Sequence, residues 1–209
     1  MNQIISQHGW AFDSSLWKEL KKIYINNKWI WQDGERGYFN KTLVSPKWIN
    51  NNSSKGKNII IIHSLGIHLI DKNTLINASH AIFINSFYQF IPDNKDRKLI
   101  IKTLERMKKK LNNQEIKPML NEFYKNSFFP NEINLNFQET ISSKFDKANI
   151  SNLKSDFDKL LMTNKPPLLV SKDCNILIIK SVSDRILNNN SSTNFIELMS
   201  KTQTKNQGF

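Results

Sequence analysis

Ser64 is the residue of this sequence best placed to do chemistry. Just before it, Asn58 to Ile62 runs through four consecutive isoleucines, the pattern of a strand buried on both faces of a parallel sheet. Ser64, Leu65 and Gly66 break that run, and Ile67 to Leu75 can start a helix. A serine held where a buried strand turns sharply into a helix has its Oγ pushed out at the carboxyl end of the sheet. The amide of the next residue, here Leu65, then faces the place where an oxyanion forms. This is the geometry of a nucleophile elbow, which suits acyl transfer. In Ile62-His63-Ser64-Leu65-Gly66, Ile62 stands where GxSxG has its first glycine; glycines flank such a serine because the turn brings neighbouring chains close. The same five residues also suit an ordinary serine N-cap.

The surrounding elements have to deliver that turn. Gln3 to Ser6 reads as a short strand running into His8, Gly9 and Trp10. A helix follows from Ser14 to Lys22, with Leu16, Leu20 and Ile23 at helical spacing. Lys28 to Gln32 reads as a second strand ending in a turn at Asp33 and Gly34, and Asn50 to Lys57 as a polar loop of Asn, Ser and Lys. With Asn58 to Ile62 and Ala81 to Ile84 as further strands, the first 90 residues alternate strand and helix. That is the pattern of an α/β protein with a mainly parallel sheet and helices on both faces. From Asp93 the pattern changes. Ile100, Leu104, Met107 and Leu111 line one face of a helix whose other face carries Lys98, Lys102, Arg106 and Lys109. Amphipathic pieces continue at Met119 to Lys125 and Phe157 to Met162, with a turn at Phe129-Pro130-Asn131. Alternation resumes with a short segment at Leu168 to Val170, an apolar strand at Ile176 to Lys180 and a helix at Thr193 to Ser200. The expected organisation is therefore residues 1–92 as one part of a core, 93–165 as a helical insertion and 166–209 as the second part.

Three further motifs stand in the order that α/β-hydrolases use. His8, Gly9 and Trp10 follow the first strand, where that family places an HG motif whose next backbone amide completes the oxyanion hole. Asp33, Arg36 and Gly37 are similar to its DxxG turn. Ser181 to Ile186, containing Asp184, looks like its acid turn, GxxDxxV. The chain thus resembles an α/β-hydrolase. Within that superfamily it is similar to the esterases of biotin synthesis that cleave the methyl ester of pimeloyl-acyl carrier protein, including the shorter cyanobacterial substitutes. The likeness runs through His8, Gly9, Trp10 and Trp17, through His63 to Gly66, and through Asp184.

This resemblance implies a serine carboxylesterase that needs no cofactor or metal. Ser64 is then the nucleophile, the amides of Trp10 and Leu65 form the oxyanion hole, His8 and Gly9 support the oxyanion loop, and Asp184 orients a proton-shuttling histidine. It also implies a helical cap whose basic residues Arg97, Lys98, Lys102, Arg106 and Lys109 receive an acidic acyl carrier protein; a solvated helix face explains the same cluster. The family's order is Ser, Asp, His, with the histidine beyond one more helix and strand, yet His8, His63, His68 and His80 all precede Asp184. His63 is expected to point away from its neighbour Ser64, and His68 and His80 read as structural. Two expectations follow. Either the sequence stops short of the last strand and its histidine loop, or the protein is a non-catalytic hydrolase-like binder of a ligand or protein.

Composition narrows the classes. With 209 residues, 39% hydrophobic and only six Gly and six Pro, the chain can bury a real core and is not disordered. The longest apolar run, Ile59 to Ile70, is interrupted by His63, Ser64 and His68, so no membrane helix is expected. The single Cys174 excludes an internal disulfide, reads as a core thiol and fits a reducing cytoplasm. A net charge of +12 attracts anionic partners. The aromatic residues fall in apolar strand and helix patterns, which argues for an acyl ester or an acidic protein over nucleic acid.

Overall fold

A computed structural model describes residues 1–39, 41–49, 56–112, 115–133, 139, 143–163 and 170–204. Five strands form one parallel sheet: β1 (Gln3–Gln7), β2 (Ile30–Gly34), β3 (Asn58–His63), β4 (His80–Ile84) and β5 (Asn175–Ile179). Their spatial order is β2-β1-β3-β4-β5. The order reverses between β1 and β3, so the chain leaves these two neighbours in opposite directions and a crevice opens beyond their carboxyl ends. The register sets Gln7 beside Ile62, and Ile62 beside Phe83. His8-Gly9 and Ser64 therefore emerge side by side at that crevice.

Alternation along the strands fills both faces. Ile5, Ile60, Ile62 and Phe83 meet Leu75 of α2 (Lys72–Ile76) and Phe195 and Met199 of α6 (Asn189–Thr204) on one face. Cys174 is buried in this same cluster, together with Ala81 and Val170. Ile4 and Ile61 meet Trp17, Leu20 and Tyr24 on the other face, the last two from α1 (Lys18–Asn26). Burying each large apolar side chain contributes about 1.5–3 kcal/mol. A third apolar cluster lies over the carboxyl ends of the strands. There Trp10, Phe12, Leu65 and Phe87 pack against α3 (Arg97–Asn112), α4 (Ile116–Ser127) and α5 (Ile150–Met162), through residues such as Leu104, Met119 and Phe157.

Several elements differ from the sequence reading. The helix expected over Ser14 to Lys22 begins as a 3-10 turn, Ser14–Trp17, and turns Trp17, Leu20 and Tyr24 to the sheet, leaving Ile23 exposed. β2 runs through Asp33 and Gly34, so the turn comes later, at Arg36 and Gly37, where Gly37 takes a φ of 68°. Asp33 is held inside the sheet layer by Ser6 Oγ, Trp31 Nε1 and Lys21 Nζ. The helix expected from Ile67 to Leu75 is divided: a 3-10 turn spans Ser64–His68, and α2 starts afresh under the Asp71 N-cap, whose carboxylate accepts from the Asn73 and Thr74 amides. Most of the segment Leu168 to Val170 and of the loop Asn50 to Lys57 lies outside the described residues. β5 stands at the edge of the sheet, with Leu177 and Ile179 exposed.

Candidate active site

β3 ends at His63 with extended backbone (φ −110°, ψ 130°), and Ser64 then takes a φ of +52° before the 3-10 turn. A left-handed conformation in a residue that is not glycine costs free energy, and it persists only where the surroundings impose it. Here they do. A Cβ added to Gly9 would lie 2.8 Å from Ser64 Cβ, and one on Gly66 would lie 2.8 Å from the Gln7 carbonyl oxygen and 3.0 Å from that of His8. The two glycines thus let the loop after β1 and the turn at Ser64 close on each other. Ile62 needs no glycine because its side chain enters the sheet core, where it is fully buried.

The loop after β1 is fixed by a second tier. His8 is fully buried; its Nδ1 lies 2.8 Å from the Gly9 carbonyl oxygen and its Nε2 3.1 Å from Glu35 Oε1. Glu35 also accepts from the backbone amides of Ser14 and Arg36. Burial works against its charge, but the bonds from His8 and the Ser14 amide outweigh it and hold the carboxyl down at about 2. Arg36 continues outward to the fully buried Asp156 of α5, bound through Nε and Nη2 at 2.7 and 2.8 Å, and Tyr38 Oη donates to the same carboxylate at 2.6 Å. Neither Glu35 nor Asp156 was singled out by sequence. Their partners His8 and Arg36 lie 27 and 120 residues away in the chain, and no local pattern marks such contacts.

Ser64 opens on a cavity of about 760 Å³. Its walls are largely aromatic and aliphatic, including Trp10, Phe12, Phe123 and Phe157, and Asp184 reaches the same space from beyond β5. The structure therefore brings Ser64, Asp184 and Trp10 to one cavity. Leu65 is fully buried in the first turn after the serine, where backbone amides have no partner within the turn. Among the described residues the Trp10 amide has no acceptor either. Asp184 Oδ1 accepts from the amides of Ile186 and Leu187, which fixes its own turn. Asn85, left-handed just after β4 (φ 46°), ties that turn to the sheet by accepting from the Ser181 amide and donating to Ser181 Oγ.

The basic cluster divides. Arg106 and Lys109 stand on the cavity rim, whereas Arg97 is paired with Asp93 at 2.7 Å and Lys98 and Lys102 are exposed along α3 away from the rim. The histidines also separate. His68 Nε2 meets the Phe87 carbonyl oxygen, and His80 lies at the amino end of β4, beside Ser79 Oγ. His63 lines the same cavity; its ring meets Phe12 edge-on at 5.3 Å, and among the described residues its buried Nδ1 has no hydrogen-bond partner. Burial, with His8 nearby, pushes His63 down to about 4.

No protein-family model matches the sequence, and none of the curated proteins does. Solved structures do match the fold. A hydrolase from Oleispira antarctica superposes with a TM-score of 0.66 at 13% identity, over 95% of this chain and 80% of its own. The fold is that of the α/β-hydrolases. A carboxylesterase of the thaumarchaeon Nitrososphaera gargenis is similar with a TM-score of 0.63 at 12% identity, over 97% and 78% of the two chains. A bromoperoxidase from Bacillus anthracis gives 0.59 at 14% identity, over 97% and 92%. Among the described residues no helix is long and apolar enough to cross a membrane.

Proposed function

We propose that the protein is a serine hydrolase of carboxylic esters. The observation that carries this reading is the left-handed Ser64 at the strand-to-turn junction, pressed against Gly9 and sharing one apolar cavity with Asp184. In this reading Ser64 Oγ attacks the ester carbonyl carbon, the amides of Trp10 and Leu65 receive the oxyanion, and the alcohol leaves with a proton. Water then attacks the acyl-enzyme and releases the acid. The helices between β4 and β5 act as a cap over a core made of residues 1–92 and 166–209. The apolar walls suit an acyl chain, and Arg106 and Lys109 on the rim suit an anionic carrier. The specific substrate proposed, on the resemblance of the sequence to the esterases of biotin synthesis, is a pimeloyl-acyl carrier protein methyl ester.

A second reading, a non-catalytic binder, is favoured by one observation. Among the described residues no histidine hydrogen-bonds to Ser64 or Asp184. Incubation with a fluorophosphonate, followed by mass measurement beside Ser64→Ala, separates the two. A single adduct on the unsubstituted protein that is lost in Ser64→Ala supports the hydrolase; no adduct on either supports the binder.

A further inference from the structure

The loop that carries the oxyanion-hole amide is held in place by the helices above it as well as by the sheet beneath it. Ala11 sits in the left-handed region with a φ of 57°, and it has a Cβ, so this conformation must be imposed from outside. Two groups far along the sequence do so. Tyr124 Oη of α4 donates to the Ala11 carbonyl oxygen, and Trp10 Nε1 donates to the Leu153 carbonyl oxygen of α5 at 2.8 Å. The bonds span 113 and 143 residues. Tyr124 is buried, and its ring meets Phe12 edge-on at 5.3 Å while Phe12 meets His63 at the same distance. Tyr124 is thus joined to both sides of the elbow. Burial, with Asp13 nearby, pushes its phenol well above the ordinary value, so it remains a donor across the working range of pH.

We propose that Tyr124 is a positioning residue for the oxyanion site: its hydroxyl on the Ala11 carbonyl sets the direction in which the Trp10 amide faces the cavity. The proposal rests on the serine-hydrolase reading for its chemical consequence and on geometry alone for its local one. The preceding residue on α4, Phe123, lines the cavity and packs edge-on against Trp10 at 5.1 Å. The helix that shapes the acyl chamber is therefore the helix that holds the oxyanion loop, and the two cannot move independently.

The test uses the full chain and Tyr124→Phe, which keeps the ring and removes the hydroxyl. Amide hydrogen exchange over residues 8–13 is expected to quicken about tenfold, with the rest of the sheet unchanged. The maximal rate of fluorophosphonate labelling at Ser64 is expected to fall about tenfold, with the concentration for half-maximal rate unaltered. Trp10→Phe, which removes the bond to Leu153 from the same loop, should loosen residues 8–13 in the same way and covers the case in which Tyr124→Phe does not fold. Unchanged exchange over residues 8–13 overturns the proposal, as does a labelling defect confined to the half-maximal concentration. If the unsubstituted protein takes no label, the hydrolase reading fails, and hydrogen exchange alone still decides whether Tyr124 holds the loop.

Discussion

The two sides of the candidate site are built differently. At the β1–β3 corner, His8, Leu65 and Ile62 are fully buried, glycines at 9 and 66 admit no added carbon, and Glu35 collects bonds from a histidine and backbone amides. At the β5 margin, Leu177 and Ile179 are about half exposed, at 52% and 47%, and Val182 is 92% exposed. Asp184 there is fixed by two backbone amides of its own turn. The Ser64 side is thus constructed like a protein core and the Asp184 side like a surface loop. Interiors are close-packed and transmit any change of volume, whereas exposed positions absorb it. The contrast says that the geometry of Ser64 is set by many mutually dependent contacts and that of Asp184 by few.

The sharpest way to break this contrast is at Glu35. Replacing it by alanine strands the Ser14 amide and leaves His8 Nε2 and the Arg36 amide only their mutual contact at 3.3 Å in a buried site, and should cost about 3 kcal/mol in a urea titration at neutral pH. The same carboxyl makes a pH prediction. Its value is lowered from 4.5 to about 2 on folding, so its contribution is complete above pH 4.5 and is lost as pH falls toward 2. The variant should show a shallower loss of stability over that window. Asp13 adds to whatever slope remains, since it is also held down at about 2: burial opposes its charge, and Lys144 and Ser15 outweigh it.

A smaller effect is expected at Gly66. Alanine there would drive a carbon into the Gln7 and His8 carbonyl oxygens, and overpacking of this kind costs about 1–3 kcal/mol. Fluorophosphonate labelling should slow in the same variant, because the turn that must shift carries Ser64. The smallest effect belongs to the open side: Val182→Ser should leave the urea-derived stability within about 0.5 kcal/mol of the parent. A large loss there would mean that the β5 margin is packed after all.

Much of this was legible in the sequence because its signals are local. Four isoleucines mark β3, the break at Ser64-Leu65-Gly66 marks the elbow, and Ile100, Leu104, Met107 and Leu111 mark the packed face of α3. Other features were hidden because they depend on distant partners. Asp33 looked like a turn residue, but Ser6 and Lys21 draw it into the sheet layer. Glu35 and Asp156 are ordinary surface acids in sequence and become buried acceptors only when the chain folds back. Asp71 does not stand out as a helix start, because the apolar spacing from Ile67 to Leu75 continues across it. Tyr124 matches an amphipathic helix, and nothing in that pattern distinguishes a core ring from one whose hydroxyl holds a loop 113 residues away in the chain.

β5 has one further consequence, for the behaviour of the protein at high concentration. Among the described residues no strand pairs with its outer edge, and a free edge beside exposed Leu177 and Ile179 is a template for a strand from another molecule. The net charge of +12 keeps copies apart at low ionic strength. Salt shortens the reach of that repulsion to about 8 Å at 0.15 M, so the conditions that make most proteins easier to keep in solution are those in which this one is least protected from itself.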